Sequence, residues 1–312
     1  MKYSLLMLLL VSVAGCGPDG ADADTRTDGA YRLDMDLTGS LQNPAFCPDG
    51  SSIVFTRFRD GYNEGVSDLF IYNLETEQLS TLLSDDVGHV NLPGSSWNEA
   101  IHSVVFASSI DPHDEIFLIS DTGQSGEQVQ VTDRKDKQSF EPTFSPDGQW
   151  IVFESHDIDV EGEGLITKFK VDKGSEYIDL STQGDDCRQP NWSPVGDRIL
   201  YQKKQGAKWG IWTVDTDGQD AVMVTDPLQS ATDAVFSFDG QWIIYSGENG
   251  DAAISNIYKV PADGGHAVQI TEFRGYDGAP SISPDGDVLA FESSDDDPDG
   301  SEGTSIWVKE LE

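Results

Sequence analysis

Pro142-Thr-Phe-Ser-Pro-Asp-Gly148, followed after Gln149 and Trp150 by Ile151-Val-Phe153, reads as a strand, a tight turn and a second strand. Proline presets φ near about −65°, aspartate can bond its own backbone, and glycine accepts the positive φ that the reversal needs. The stretch recurs as Pro44-Ala-Phe-Cys-Pro-Asp-Gly50, Pro190-Asn-Trp-Ser-Pro-Val-Gly196, Ala234-Val-Phe-Ser-Phe-Asp-Gly240 and Pro280-Ser-Ile-Ser-Pro-Asp-Gly286. Recurrence turns a weak turn signal into a statement about architecture.

Each copy begins a longer unit. The second strand reads Ile53-Val-Phe55, Val104-Val-Phe106, Ile151-Val-Phe153, Ile199-Leu-Tyr201, Ile243-Ile-Tyr245 and Leu289-Ala-Phe291, so there are six units. A third strand pairs an aliphatic with an aromatic residue, as in Leu69-Phe70, Ile116-Phe117, Ile211-Trp212, Ile257-Tyr258 and Ile306-Trp307, with Lys168-Phe169 the degenerate member. A fourth ends in a small hydroxyl residue, as in Val129-Gln-Val-Thr132 and Val268-Gln-Ile-Thr271. The anchors Phe46, Trp97, Phe144, Trp192, Phe236 and Ile282 lie 44 to 51 residues apart. Four β-rich strands per period of that length, with no helical periodicity, predict an all-β, six-bladed β-propeller of four-stranded antiparallel blades. The second unit has Asn98-Glu-Ala100 in place of Pro-Asp-Gly, and its first hairpin is expected to be irregular.

The predicted blades run 40–84, 90–133, 138–182, 186–226, 230–271 and 276–312. The last stops at its third strand, Ser305-Ile-Trp-Val-Lys-Glu310, while Met35-Asp-Leu-Thr38 matches the fourth-strand pattern at the other end of the chain. Residues 31–38 are therefore expected to complete the sixth blade and close the ring, removing open sheet edges.

The chain has 56 acidic and 19 basic residues and a formal charge of −37, which excludes nucleic acid as a partner and disfavours anionic lipid surfaces. The acidity fits either a solvated surface suited to high salt or a face aimed at cations or a basic partner. At the N-terminus a short positive region precedes the nine-residue apolar run Leu5 to Val13 and then Val13-Ala-Gly-Cys16. Residues 1–15 thus have signal-peptide form. Residues 16–30 carry no large apolar side chain and are expected to be a flexible acidic tether, with a reach of up to about 45 Å. Cys47 and Cys187 fall in different repeats, and nothing in their spacing requests a disulfide.

Phe-Ser-Pro-Asp-Gly, the aliphatic-aliphatic-Phe strand and the Ile-Tyr or Ile-Trp pair resemble the WD40-like repeats of the TolB-like β-propeller family across residues 31–312. The segment ending in Cys16 resembles a bacterial lipoprotein box. Together these resemblances imply lipidation of Cys16 after cleavage, with Gly17 favouring the outer membrane, and a propeller facing the periplasm. Contact with the membrane is then through the lipid alone. The separate α/β domain that precedes the propeller in TolB itself has no expected counterpart here.

In such a blade the loops joining strands two to three, and those leading to the next blade, share one face, and that face collects the acid. It includes Asp111-Pro-His-Asp-Glu115, the acidic run from His156 to Glu163, Glu248-Asn-Gly-Asp251 and the segment from Asp295 to Glu302. Asp295, Asp297 and Asp299, with Gly300, have the alternate-carboxylate spacing of half a calcium loop, but Ile306 stands where a bidentate glutamate would be. Asn43, Glu141, Gln189, Asp233 and Gly278, just before the first strands, are expected to ring the mouth of the central channel. His89, His102, His113, His156 and His266 are scattered with no pair at ligand spacing, and no Gly-x-Ser-x-Gly elbow is present. The aromatic-rich strands read as core. The function that follows is a non-enzymatic, monomeric envelope lipoprotein binding a protein or glycan through its acidic face. The alternative is a calcium-dependent lyase or lactonase-like propeller using Glu141 and Asp233 at the channel mouth.

Overall fold

The computed structural model describes residues 25–84, 90–91, 97–109, 113–121, 128–158, 160, 162–172, 176–248, 254–294 and 303–311. Cys16, Asp295, Asp297 and Asp299 lie outside them, as do His89 and parts of several acidic loops. Among the described residues there are strands and turns only, and no helix long and apolar enough to cross a membrane.

Six antiparallel sheets form the six blades. Blade three is representative, with strands Lys137–Phe144, Trp150–Asp157, Gly164–Lys170 and Tyr177–Asp179 in simple up-and-down order. The turn that repeats in sequence repeats in bonding. Asp147 Oδ1 accepts from Ser145 Oγ at 2.7 Å and from Gln149 N at 3.0 Å, Trp150 N donates to Ser145 Oγ at 2.9 Å, and Gly148 turns at φ 66°. Blade one builds the same turn with a thiol, Cys47 Sγ donating to Asp49 Oδ1 and accepting from Ser52 N. Blade four, with Val195 in the aspartate's place, uses Asp197 instead, 3.0 Å from Ser193 Oγ. Both Cys47 and Cys187 are buried free thiols. Burial pushes the Cys187 thiol up to about 12.

The core lies between blades. One cluster joins Val235, Ile244 and Ile257 of blade five to Ile282, Leu289, Phe291 and Trp307 of blade six, and another joins Val152 and Ile166 to Trp192, Ile199 and Val214. Every blade therefore depends on its neighbours for its buried apolar surface. In blade two the first strand is split into Val90–Asn91 and Trp97–Asn98, both paired with Ser103–Ser108, which is the irregularity expected there.

Two registers differ from the sequence reading. The strand closing the ring is Tyr31–Arg32, with Tyr31 opposite Val308 and Arg32 opposite Trp307, and Leu33 N continues to Ile306 O at 2.9 Å. Met35-Asp-Leu-Thr38 begins three residues beyond its end. Met35 drops instead into the seam between blades six and one, beside Phe55 and Ile306, because an apolar side chain there gains more from burial than from an outer-strand position. In blade three Ile166-Thr167, opposite Glu154 and Phe153, occupies the third-strand position assigned to Lys168-Phe169, while Phe169 packs on Phe153 and Tyr177 from two residues further on.

Residues 25–30, read as part of the tether, are folded onto blade six. Arg26 Nη1 is 2.8 Å from the buried carboxylate of Asp277, and its guanidinium lies 3.7 Å from the Phe273 ring centre and 4.1 Å from that of Trp307. Glu272 N donates to Asp28 Oδ2 at 2.9 Å, and Lys309 Nζ donates to Asp28 O. The ring is thus closed by one short strand and a cationic side chain held between two aromatic rings. Burial raises the Asp277 carboxyl above its ordinary range even with Arg26 beside it, so the ion pair does not fully offset the desolvation. Arg26→Ala should leave that carboxyl alone and cost about 3–5 kcal/mol, whereas Arg26→Met with Asp277→Leu should recover most of the loss. Urea unfolding of both variants measures the difference. Equal destabilisation would mean that the arm does not depend on the pair.

Candidate functional site

The first strand of five blades carries a β-bulge, marked by register shifts at Gln42/Ala45, Phe140/Thr143, Arg188/Asn191, Thr232/Val235 and Gly278/Ser281. The inserted residue is Asn43, Glu141, Gln189, Asp233 or Ala279, with φ between 43° and 52°. Left-handed backbone costs a residue with a side chain about 1–3 kcal/mol, and bulges re-aim the side chains they carry. Here they aim them at the propeller axis. Asn43, Glu141, Gln189 and Asp233 line one cavity of about 20 Å³, room for about one water molecule.

The fifth polar position in the ring is filled by Ala279. Gly278 sits one residue earlier and packs against Tyr276, whose hydroxyl would be 2.0 Å from any Cβ placed there. In blade two Asn91 joins the ring, accepting from Asn43 Nδ2 at 2.7 Å and donating toward Glu141 Oε1 at 3.4 Å. Gln189 and Asp233 form a reciprocal pair, with Nε2 to Oδ1 at 2.8 Å and Asp233 N to Gln189 Oε1 at 3.2 Å.

Sequence reading missed a second ring, which comes from the strand-two residue after the aliphatic-aliphatic-aromatic run. In blade three it is Glu154 and in blade six Glu292, both buried. Each accepts the backbone N–H of the next blade's bulge residue, Gln189 N to Glu154 Oε2 at 3.0 Å and Asn43 N to Glu292 Oε2 at 2.9 Å. Tyr62 and Tyr276, packed edge to face, both donate to Glu292 Oε1, at 3.0 and 3.1 Å. The readable signal was a charged residue at an inward strand position that elsewhere holds Thr56, Ala107, Gln202 or Ser246.

Four carboxyl groups thus share the channel. Burial, and then the charges of Glu154, Asp233 and Glu292, push Glu141 up to about 8. Burial pushes Glu292 up to about 7 although Asn43 and the tyrosines donate to it, and Asp233 is also raised by burial. Arg188 and His156 stand near the loop-side mouth, but Arg188 is engaged by Asp186 and His156 Nε2 contacts Glu154 Oε1. Chemically the channel can take up protons or hold a donor-rich or cationic group. Among the described residues no three His, Cys, Asp or Glu side chains stand close enough to hold a metal ion.

The two ends differ. On the loop face a polar pocket of about 640 Å³ opens between blades three and four, lined by Phe140, Glu141, Glu154, His156, Arg188, Gln189 and Gln202 among others. On the turn face Phe46, Trp97, Phe144, Trp192 and Phe236, with Pro48, Pro146 and Pro194, line a mixed funnel of about 550 Å³ together with polar groups such as Asn98, Glu99 and His102. The anchor aromatics read as core therefore also edge an opening.

A family model described as TolB beta propeller domain matches residues 27–265. The Tol-Pal system protein TolB of Francisella tularensis subsp. mediasiatica is 29% identical over 163 residues, 52% of this chain and 35% of that protein. The chain therefore spans about a third of the length of the curated relatives it matches. Among solved structures, TolB from Acinetobacter baumannii superposes with a TM-score of 0.65 at 18% identity, covering 85% of this chain and 65% of that one. A putative TolB from Agrobacterium tumefaciens gives 0.65 at 16%, covering 91% and 97%. An oligogalacturonate lyase in complex with manganese gives 0.58 at 13%, covering 91% and 93%. At these identities the structural likenesses show the fold.

Glu141 and Glu292 bind protons in the folded protein at pH values where the unfolded chain has released them. Stability is therefore expected to fall as pH rises from about 4.5 to about 8. Glu141→Gln removes one titrating group, so it should raise the melting temperature at about pH 8.5 and leave it nearly unchanged at about pH 5. Calorimetry across that range checks the sign. A variant that shifts the melting temperature equally at both ends would show that Glu141 is ionised throughout.

Proposed function

The chain belongs to the TolB beta propeller domain family, and from that premise we propose that it is a non-enzymatic scaffold of the bacterial cell envelope that binds a protein partner through its loop face. The observation that carries this reading is the gathering of carboxylates on that face in a chain whose formal charge is −37, with basic groups such as Lys135 and Arg188 offsetting only some of them. Glu141 and Glu154 sit in its pocket, and Asp60, Asp133 and Asp226 are exposed in its loops. A cationic partner surface would relieve this repulsion, which gives electrostatic steering and specificity.

The curated relatives are named as proteins of a Tol-Pal system, which supports an envelope location and a protein partner. Lipidation of Cys16 would fix the propeller to the periplasmic side of the outer membrane. From Thr25 onward the chain is folded onto blade six. The funnel on the turn face is edged by the core aromatics and serves the scaffold.

A catalytic reading draws on Glu141, a carboxyl brought near neutrality in a cleft. It requires turnover of a lactone or an acidic polysaccharide by the purified chain.

Capture from solubilised envelope with the lipidated full chain is expected to retain a stoichiometric protein. Retention should weaken about tenfold between about 50 and about 500 mM salt, as exposed charges are screened. Replacing Asp60, Asp133 and Asp226 by lysine should abolish it. Retention of a glycan alone would shift the partner class. Turnover lost in Glu141→Gln, with no protein retained, would overturn the scaffold reading.

A further inference from the structure

The pocket between blades three and four contains an acceptor whose expected donor is already used. In blades three and six the strand-two carboxylates Glu154 and Glu292 accept the N–H of the next blade's bulge residue. Gln202 holds the same place in blade four, after Tyr201, so its counterpart is the N–H of Asp233. That N–H donates instead to Gln189 Oε1 at 3.2 Å. Gln202 is only 7% exposed, lines the pocket, and its Oε1 has no hydrogen-bond partner among the described residues. A buried acceptor left without a donor is a standing cost that a bound donor removes.

Most of the other groups around it are acceptors or donors already spent, with the Gln138 amide and the His156 ring beside them. Glu154 and Glu141 present carboxyl oxygens, and Gln189 uses both ends of its amide on Asp233. Arg188 donates to Asp186 and packs over Trp209 at 5.3 Å. Phe140 and Ile158 supply an apolar wall beside these groups. The volume, about 640 Å³, is that of a small-molecule site. A group with several N–H donors and positive charge, attached to a compact carbon body, suits the carboxyl and amide oxygens and the apolar wall of this lining, since an ammonium has three donors and accepts nothing.

We propose that this pocket binds a small organic ammonium ion, whose N–H groups occupy the acceptors of Gln202, Glu154 and Glu141. The inference rests on the pocket alone and is independent of the partner reading above. Glu141 releases a proton as the ammonium enters, because the incoming charge replaces the repulsion that kept the carboxyl protonated.

Titration calorimetry of the full chain at about pH 7.5 with cadaverine and glucosamine, against 1-pentanol and N-acetylglucosamine as neutral controls, tests it. Saturable heat is expected with at least one amine, with proton release shown by buffers of different ionisation enthalpy, and none with the controls. Gln202→Leu should weaken binding about tenfold or more. It should also keep the melting temperature or raise it, since it removes the orphaned acceptor. Gln202→Glu, which adds a charge and keeps the acceptor, should tighten binding, and it decides the matter if Gln202→Leu fails to fold. Equal binding of the neutral controls, absence of saturable heat with both amines, or affinity unmoved by either Gln202 variant would overturn the proposal.

Discussion

No blade of this propeller can bury its faces alone, and the whole structure depends on that constraint. Apolar clusters are shared across seams, so removing one sheet exposes two neighbours. The ring must therefore close, and the closure falls where the chain has least covalent help, between its two ends. Tyr31–Arg32 offers only two residues of ladder pairing. What makes so short a strand sufficient is the Arg26 arm, which adds an ion pair to Asp277 and stacking against Phe273 and Trp307 on the inner side of the same blade.

Closure brings six first strands around one axis, and the bulges decide what that axis contains. Without the extra residue, period-two alternation would point the same positions into the seams. With it, Asn43, Glu141, Gln189 and Asp233 face each other, and the backbone N–H groups of Gln189, Asn43 and Asp233 are taken by Glu154, Glu292 and Gln189. The polar axis is thus bonded to the apolar seams through the backbone. Desolvation and mutual repulsion then act on carboxyl groups that cannot move apart, so the burden falls on their protonation.

The fold was legible because its signals are local and repeated. The turn Ser-Pro-Asp-Gly carries its own bonding, and copies of it in five units state the period directly. Registers were less legible where the deciding contact is remote. Met35 looks like a strand residue until blade six is present to receive it, and Lys168-Phe169 looks like a third-strand pair until Ile166 is seen opposite Glu154. Arg26 could not be told from a tether residue, since its partner is 251 positions away. Asn43, Glu141, Gln189 and Asp233, singled out by their place before the anchor, all sit at the bulges. In blade six the bulge residue is Ala279, one position after Gly278, and it leaves no polar side chain to recognise. Glu154 and Glu292 were hidden inside runs read as core.

The repeats differ in two ways, and the contrast between them separates scaffold from site. Changes in the turns are compensated within a few residues: Cys47 replaces a serine and keeps both bonds, and Asp197 replaces an aspartate lost at Val195. Changes along the axis are not compensated in this way. On the blade-six side Ala279 withdraws from the ring, and Tyr62 with Tyr276 covers Glu292. On the opposite side Glu141 is left among like charges, and Gln202 keeps an acceptor whose donor has gone to Gln189. One side of the channel mouth is thereby capped by hydroxyl groups and the other opens into a pocket of acceptors. A sixfold scaffold has acquired a direction.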